Sequence, residues 1–460
     1  HFESETDTEV IVHLLEMYYK GDLKQAVMRT SARLKGSYAL GILCTDQPEK
    51  IFAVREASPL ILGVGVGEVY FASDVTALVA YTRNAIYLED GEFAELTPES
   101  IQIYDCMGRP VQKKVTRITW DVQAAEKGGY EHFMLKEIME QPRAVKATIA
   151  PRIKGSEILL DQAELSADYL SGIRNIVITA CGSAYYAGCA GKYAIEKLCQ
   201  IPVQVELASE LRYSDPMIDG HTLLIVLSQS GETADTIAAM KECKHRGAKT
   251  LAVVNVVGST IAKLADHTLD PWAGPEIAVA TTKAFSTQLS VMYLFALYAA
   301  QELKTLPQER FDQLLQELVV LPDKIEKVLD EDTEKKIQYY AAQYFNNRDV
   351  FFIGRHLDSA TCLEGSLKLK EIAYIHSEAY AAGELKHGPI SLIEDGTLVV
   401  ATATNPPLFD KTMSNVKEVR ARGADVLGIT VEDLEDEIRK TMDSAILIPR
   451  TELLYQPSLS

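Results

Sequence analysis

The 460 residues, 47% hydrophobic and 24% charged, have the composition of an ordinary globular chain, which excludes disorder, a collagen-like fibre and a disulfide-stapled miniprotein. At roughly 150 residues per domain, the length predicts about three domains. A net charge of −19, from 46 Lys+Arg against 65 Asp+Glu, repels phosphate backbones and anionic membranes, so neither nucleic acid nor a membrane is expected as a partner; a pocket of converging donors can still hold a small anion.

In chain order, the opening HFESETDTEV lacks the basic and apolar regions of a signal peptide, and a start at His1 hints at a processed or truncated chain. The stretch EVIVHLLEMYYKGDLKQAVMRTSARL carries a helical apolar period and reads as one helix. SYALGILC, KIFAVR, VYFAS and AIYLEDGEFAELT follow as short strands, giving an α+β unit over residues 1–106. Residues 107–154 are a polar connector with a short helix in GGYEHFMLKEIMEQP, opened by a Gly pair and closed by Pro.

Beyond the connector, NIVITA, PVQVEL, TLLIVL and KTLAVVNV are compact apolar runs separated by helical stretches, the pattern of buried parallel strands in a doubly wound α/β unit. The cadence returns in DVFFIG, SEAYA, TLVVATAT and ADVLGIT. Arg174-Asn175 answers Arg348-Asp349, ASEL at Ala208 answers AGEL at Ala382, and RGA at Arg246 answers RGA at Arg422, all at offsets of 174 to 176. This predicts a domain-sized internal duplication, with copies over 155–305 and 306–460. The apolar runs are strand-sized, too short for a membrane span, and the seven scattered cysteines with no C-x-x-C fit a reducing compartment; a cytoplasmic location is expected.

The first copy runs its strand TLLIVL into Ser228, Gln229, Ser230, Gly231, Glu232 and Thr233, and then into a helix. One hydroxyl there would cap the helix. Three exceed what capping uses, and a helix N-terminus at the carboxyl end of a strand favours an anion, so a phosphate is the expected ligand. The Gly-x-x-x-x-Gly-Lys pattern is absent, which disfavours a nucleotide triphosphate. Gly182 and Ser183 in ITACGSAYYAG read either as a packed small-residue turn or as a side wall of the same pocket. The loop GPEIAVATTKAFST, with Ala280, Thr281 and Thr282, supplies a third wall on the same logic.

In the second copy, Glu364, Lys368 and Glu371 share one helix face, with Leu363, Leu367 and Tyr374 on another. On a generic surface this is a solvated ion-pair ladder. The first copy has small residues at the positions matching Glu364 and Lys368, so those charges are an addition, and a carboxylate beside an ammonium suits a proton shuttle between adjacent sugar carbons. His387, in a Lys-His-Gly-Pro turn, is either bonded to local backbone or moves a proton to a ring oxygen. No His or Cys cluster has metal-ligand spacing, so no metal is expected.

Taken together, CGSAYYAG, SQSGET, GPEIAVATTKAF and SLKLKEIAYIHSEAYAAGELKHGP resemble the isomerase region of the glucosamine-6-phosphate synthase family, glutamine:fructose-6-phosphate aminotransferases built from two SIS (sugar isomerase) domains. SETDTEVIVHLLE, SARLKGSYALGIL and YFASDVTAL resemble the later half of that family's class II glutamine amidotransferase domain, of Ntn type, so the fold class implied is α/β, two tandem doubly wound SIS domains after an incomplete α+β domain. The resemblance implies that Ser228, Gln229, Ser230 and Thr233 hold the sugar phosphate, with Ser183 and Val279-Ala280-Thr281 completing the pocket. It implies that Glu371 moves the proton between C1 and C2 beside Lys368, that His387 opens the ring in a neighbouring subunit's site of a homodimer, and that Asp7 grips the amino group of glutamine. The substrates implied are fructose 6-phosphate and glutamine, the product is glucosamine 6-phosphate, and no external cofactor is required.

Departures from the family pattern qualify that expectation. The family's N-terminal Cys nucleophile with its oxyanion-hole Asn and Gly, and its C-terminal Schiff-base Lys, have no counterpart in these 460 residues, so the polypeptide as given is expected to be inactive in the full reaction. Ala184 stands where many members carry Ser or Thr. Two other readings compete: a sugar-phosphate isomerase or deaminase without glutaminase, which leaves SETDTEVI unexplained, and a sugar-phosphate-sensing regulator, which predicts a partner-binding module that the acidic charge argues against.

Overall fold

The computed structural model describes residues 2–118, 127–160, 163, 165–442 and 444–460. They form two compact units, His1–Gly128 and Gly129–Ser460.

In the first unit, the stretch read as one helix is two, Thr8–Tyr18 and Leu23–Ser31. Gly21 takes φ +93° between them, a conformation that ends a helix, and Asp22 restarts it by accepting the Gln25 N–H at 3.1 Å. An antiparallel five-stranded sheet runs in the order Tyr38–Leu43, Ile51–Glu56, Phe93–Thr97, Ser100–Tyr104, Pro110–Val111. A four-stranded one runs Val69–Ala72, Ile61–Val64, Asn84–Tyr87, Thr116–Arg117. Two strands lying beyond residue 106 thus pair into these sheets. Ala53, Ala94 and Leu96 of one sheet meet Leu62 and Ile86 of the other in a shared core, while Phe52, Val54 and Phe93 of the first sheet pack with Leu23 and Val27 in a second one.

The second unit holds two five-stranded parallel sheets of the same topology. The first runs Val203–Leu207, Asn175–Ala180, Thr222–Ser228, Lys249–Val254, His267–Leu269; the second runs His376–Ala381, Asp349–Gly354, Leu398–Thr402, Asp425–Val431, Ser444–Ile448. Asn175–Ala180 becomes Asp349–Gly354 when moved 174 positions, and the helix Gly182–Cys199 lands on Leu357–Ala373. Even the strand-to-helix turn repeats: Gly182 has φ +56° and His356, 174 positions on, has φ +58°. The duplication read from three short matches is therefore a repeat of whole architecture. Thr222–Ser228 is buried at every residue, as a central parallel strand covered on both faces must be.

Between the copies lies the helix Lys283–Leu303, apolar nearly all round and buried accordingly. It packs closely on Gly182–Cys199 because Gly191 has no side chain; a Cβ there would meet Met292 Cγ at 2.7 Å. One apolar core joins Ala187 and Leu289 to Leu357, Ala360 and Tyr455, so residues of both copies share it. That packing sets the helix Leu357–Ala373 of the second copy against Gly182–Cys199, within reach of the carboxyl edge of the first sheet. Among the described residues no helix is long and apolar enough to cross a membrane.

Candidate functional site

The first sheet ends in the hydroxyl loop. Gly231 takes φ +69°, and a Cβ there would collide with Ser259 Oγ at 2.1 Å, so only glycine lets the loop turn this tightly. Ser228 Oγ accepts the Gly231 N–H at 2.9 Å and lies 3.4 Å from Thr233 Oγ1; Ser230 Oγ accepts the Glu232 N–H at 3.2 Å. Glu232 is occupied elsewhere, accepting the Thr260 N–H and hydroxyl at 2.7 Å each. Thr233 precedes the helix Ala234–His245 without capping it, so its hydroxyl can turn to another acceptor's oxygen.

A cavity of about 300 Å³ opens in front of this loop. Ser183, Ser228, Gln229, Ser230, Thr233, Thr281 and Glu371 all line it, together with Cys181, Ala184 and Gln288. Three segments of the first copy and one helix of the second therefore converge on one hollow, in the place where open α/β sheets bind ligands. Hydroxyls and the N-terminus of Ala234–His245 give it neutral donors suited to an anion's oxygens.

The charged helix face runs from the interior to the cavity wall: Glu364 is buried, Lys368 half-buried and Glu371 exposed. Lys368 Nζ donates to Ser183 Oγ at 3.0 Å and pairs with Glu371 at 2.5 Å and Glu364 at 3.4 Å. Glu364 is only 7% exposed, and burial pushes its carboxyl up to about 7, against the pull of Lys368. Its Oε2 has no hydrogen-bond partner. A lysine shared by two carboxylates, with Glu371 at the cavity wall, is an arrangement that can take a proton and return it, and not the solvated ladder that a surface helix would present. Tyr374, grouped with the apolar face in the sequence, is 90% exposed at the helix end with φ +55°.

Other sequence candidates stand apart from the cavity. Val279 is 99% exposed and Ala280 is buried, and neither lines it, so of the Val279-Ala280-Thr281 wall the threonine alone does. His387 closes a short 3-10 helix, Ala382–His387, exposed and outside the cavity. Asp7, in the first unit, sits before the helix Thr8–Tyr18 and lines a hollow of about 900 Å³ with Arg33, Ser37 and Ser73. Sequence reasoning gave Glu364 a place on the charged face but no burial, and it missed Gln288. Gln288 has a signal, being a lone amide in the apolar run KAFSTQLSVMYLF, and its Oε1 is buried without a partner beside the cavity. Among the described residues no group of three or more His, Cys, Asp or Glu could hold a metal.

A family model described as SIS domain matches residues 169–298 and 343–452, and one described as glutamine amidotransferase domain matches residues 1–80. Glutamine–fructose-6-phosphate aminotransferase (isomerizing) of Clostridium tetani is 53% identical over 460 residues, covering 100% of this chain and 75% of the relative. The chain belongs to the glutamine–fructose-6-phosphate aminotransferase family. A second member of that family, from Thermus thermophilus, is 43% identical over 465 residues, covering 100% of this chain and 75% of its own. Among solved structures, the C-terminal domain of glucosamine-fructose-6-phosphate aminotransferase from Francisella tularensis superposes with TM-score 0.69 at 36% identity, covering 73% of this chain and 94% of that one. A glucosamine-6-phosphate deaminase of Thermotoga maritima, at 23% identity and TM-score 0.53 over 71% of this chain and 90% of that one, shares the fold alone. The resemblance read from SQSGET and AYAAGELKHGP holds, as does the fold class of two SIS domains after amidotransferase sequence.

Proposed function

We propose that the chain serves the glutamine-dependent amination and isomerisation of D-fructose 6-phosphate to D-glucosamine 6-phosphate, with the 300 Å³ cavity as the sugar-phosphate site. The observation that carries this reading is the convergence of Ser228, Ser230, Thr233 and Ser183 with Glu371 on one hollow. The hydroxyl loop holds the phosphate. Ammonia released from glutamine replaces the C2 carbonyl oxygen as water, leaving an imine. Glu371 then takes a proton from C1, the electron pair forms a C1–C2 double bond as the imine nitrogen takes up a proton, and return of a proton to C2 with loss of the O1 proton leaves an amine at C2 and an aldehyde at C1. The proton shift conserves electrons, so it calls for no redox partner. Lys368, paired with Glu371 at 2.5 Å, holds that carboxylate at the cavity wall for the transfer.

His387 opens the sugar ring in the site of a neighbouring copy within a homodimer; its exposed position outside its own chain's cavity supports that role. Asp7 grips the amino group of glutamine in the first unit, and the reaction takes place in the cytoplasm. The division into amidotransferase sequence, connector and two SIS copies at 106, 154 and 305 completes the reading.

The test supplies the full-length parent with glutamine and fructose 6-phosphate and assays glucosamine 6-phosphate and glutamate. Equimolar formation of both is the expected result. Sugar-phosphate binding with isomerisation but no aminated product would point instead to a plain isomerase.

A further inference from the structure

The segment from Asp270 to Thr282 carries Thr281 to the cavity with no helix or strand of its own. What fixes it comes largely from the connector that precedes both SIS matches. Glu137, on the helix Phe133–Met139 and 2% exposed, accepts the backbone N–H groups of Ile277 at 2.6 Å and Ala278 at 3.0 Å through Oε1. Its Oε2 is buried with no hydrogen-bond partner. Glu140 Oε2 takes Lys283, 3% exposed, at 2.8 Å, and Gln141 accepts from the Ser286 hydroxyl at 2.5 Å. Within the segment, Glu276 accepts the N–H groups of Thr282 and Ala284 at 2.8 and 3.1 Å. Thr281 therefore sits between a stretch gripped at 277–278 and one gripped at 282–286.

A carboxylate that spends one oxygen on two backbone donors and leaves the other unpartnered in the interior is costly to bury. The cost makes sense where the held backbone must not move. We propose that Glu137 is a positioning residue of the sugar-phosphate site: it clamps the 277–278 backbone so that Thr281 meets the bound sugar phosphate, making the connector helix part of the binding machinery. This rests on the reading of the cavity as the fructose 6-phosphate site.

The test is a double-mutant cycle on this chain, read by calorimetric titration with fructose 6-phosphate. Glu137→Ala and Thr281→Ala are each expected to raise Kd about tenfold, and the double variant no more than the larger single effect, because Glu137 acts through Thr281. Glu137→Ala combined with Ser230→Ala should instead multiply, about a hundredfold in all, since the hydroxyl loop is held independently. Additivity with Thr281→Ala, or an unchanged Kd in folded Glu137→Ala, overturns the inference. Should Glu137→Ala not fold, Glu137→Gln keeps an acceptor at the same reach and is expected within about twofold of wild type, while Glu137→Asp withdraws it by one methylene and raises Kd about fivefold; equal affinities in the two overturn it. Wild type that binds no fructose 6-phosphate sinks the reading of the cavity itself, whereas tight binding by both wild type and Glu137→Ala sinks this inference alone.

Discussion

The two copies of the parallel sheet place the same loop at the same strand end and fill it differently. In the first, Ser228 to Thr233 faces an open cavity across from Ala184. In the second, 174 positions on, Thr402 to Pro407 stands where the hydroxyl loop was and Asp358 stands where Ala184 was. Asp358, 2% exposed, accepts the Thr404 N–H at 3.0 Å, the Thr404 hydroxyl and the Asn405 N–H. The donors that the first copy leaves for a ligand are satisfied in the second by the protein's own carboxylate. In exchange, the second copy's helix carries Glu364, Lys368 and Glu371, where the first has Ala190, Ala194 and Lys197. One copy keeps the anion cradle and the other contributes proton-transfer groups, so the duplicated halves are complementary instead of redundant.

Substitutions that erase this division have graded consequences. Glu371→Gln removes the base and keeps the shape; exchange of the fructose 6-phosphate C1 proton with deuterated solvent, followed by NMR, should fall by about 10² to 10⁴ while Kd stays within about threefold. Ala184→Asp gives the first copy the plug of the second. It should raise the Kd for fructose 6-phosphate at least about a hundredfold, roughly 2.8 kcal/mol, with the fold intact by circular dichroism. Ser230→Ala with Thr233→Ala removes two donors and should raise Kd about tenfold or more by titration calorimetry.

The smallest effect is on pH dependence. Burial pushes the Asp358 carboxyl up to about 7, so between the ordinary aspartate range near 4 and pH 7 the folded chain holds a proton that the unfolded chain has lost. Stability contributed at this group therefore falls as pH rises through that window and levels off above it. Asp358→Asn should flatten the melting-temperature profile between pH 4 and 7, and Glu364, shifted the same way, leaves a residual slope. A variant profile parallel to wild type would mean that the Asp358 carboxyl does not titrate in this window.

Much of this was legible beforehand because it rests on local signals. Buried parallel strands read as apolar runs, three hydroxyls after a strand exceed capping needs, and paired matches at one offset betray duplication. What escaped depends on contacts distant in sequence. Nothing near Glu137 announces the backbone of Ile277, 140 positions away, and the burial of Glu364 follows from how its helix packs on the first copy. Val279 looked equal to Thr281 because adjacent loop residues differ only in where the backbone aims them. The helix break at Gly21 was hidden by an apolar period that continues on both sides of it.

A crystal structure of this chain with fructose 6-phosphate tests the division of labour most directly. The account predicts the phosphate on Ser228, Ser230 and Thr233, with C1 and C2 turned toward Glu371 and the Thr402 to Pro407 loop still closed on Asp358. A sugar phosphate seated on the second loop with Asp358 displaced, or one whose carbons face away from Glu371, would contradict it.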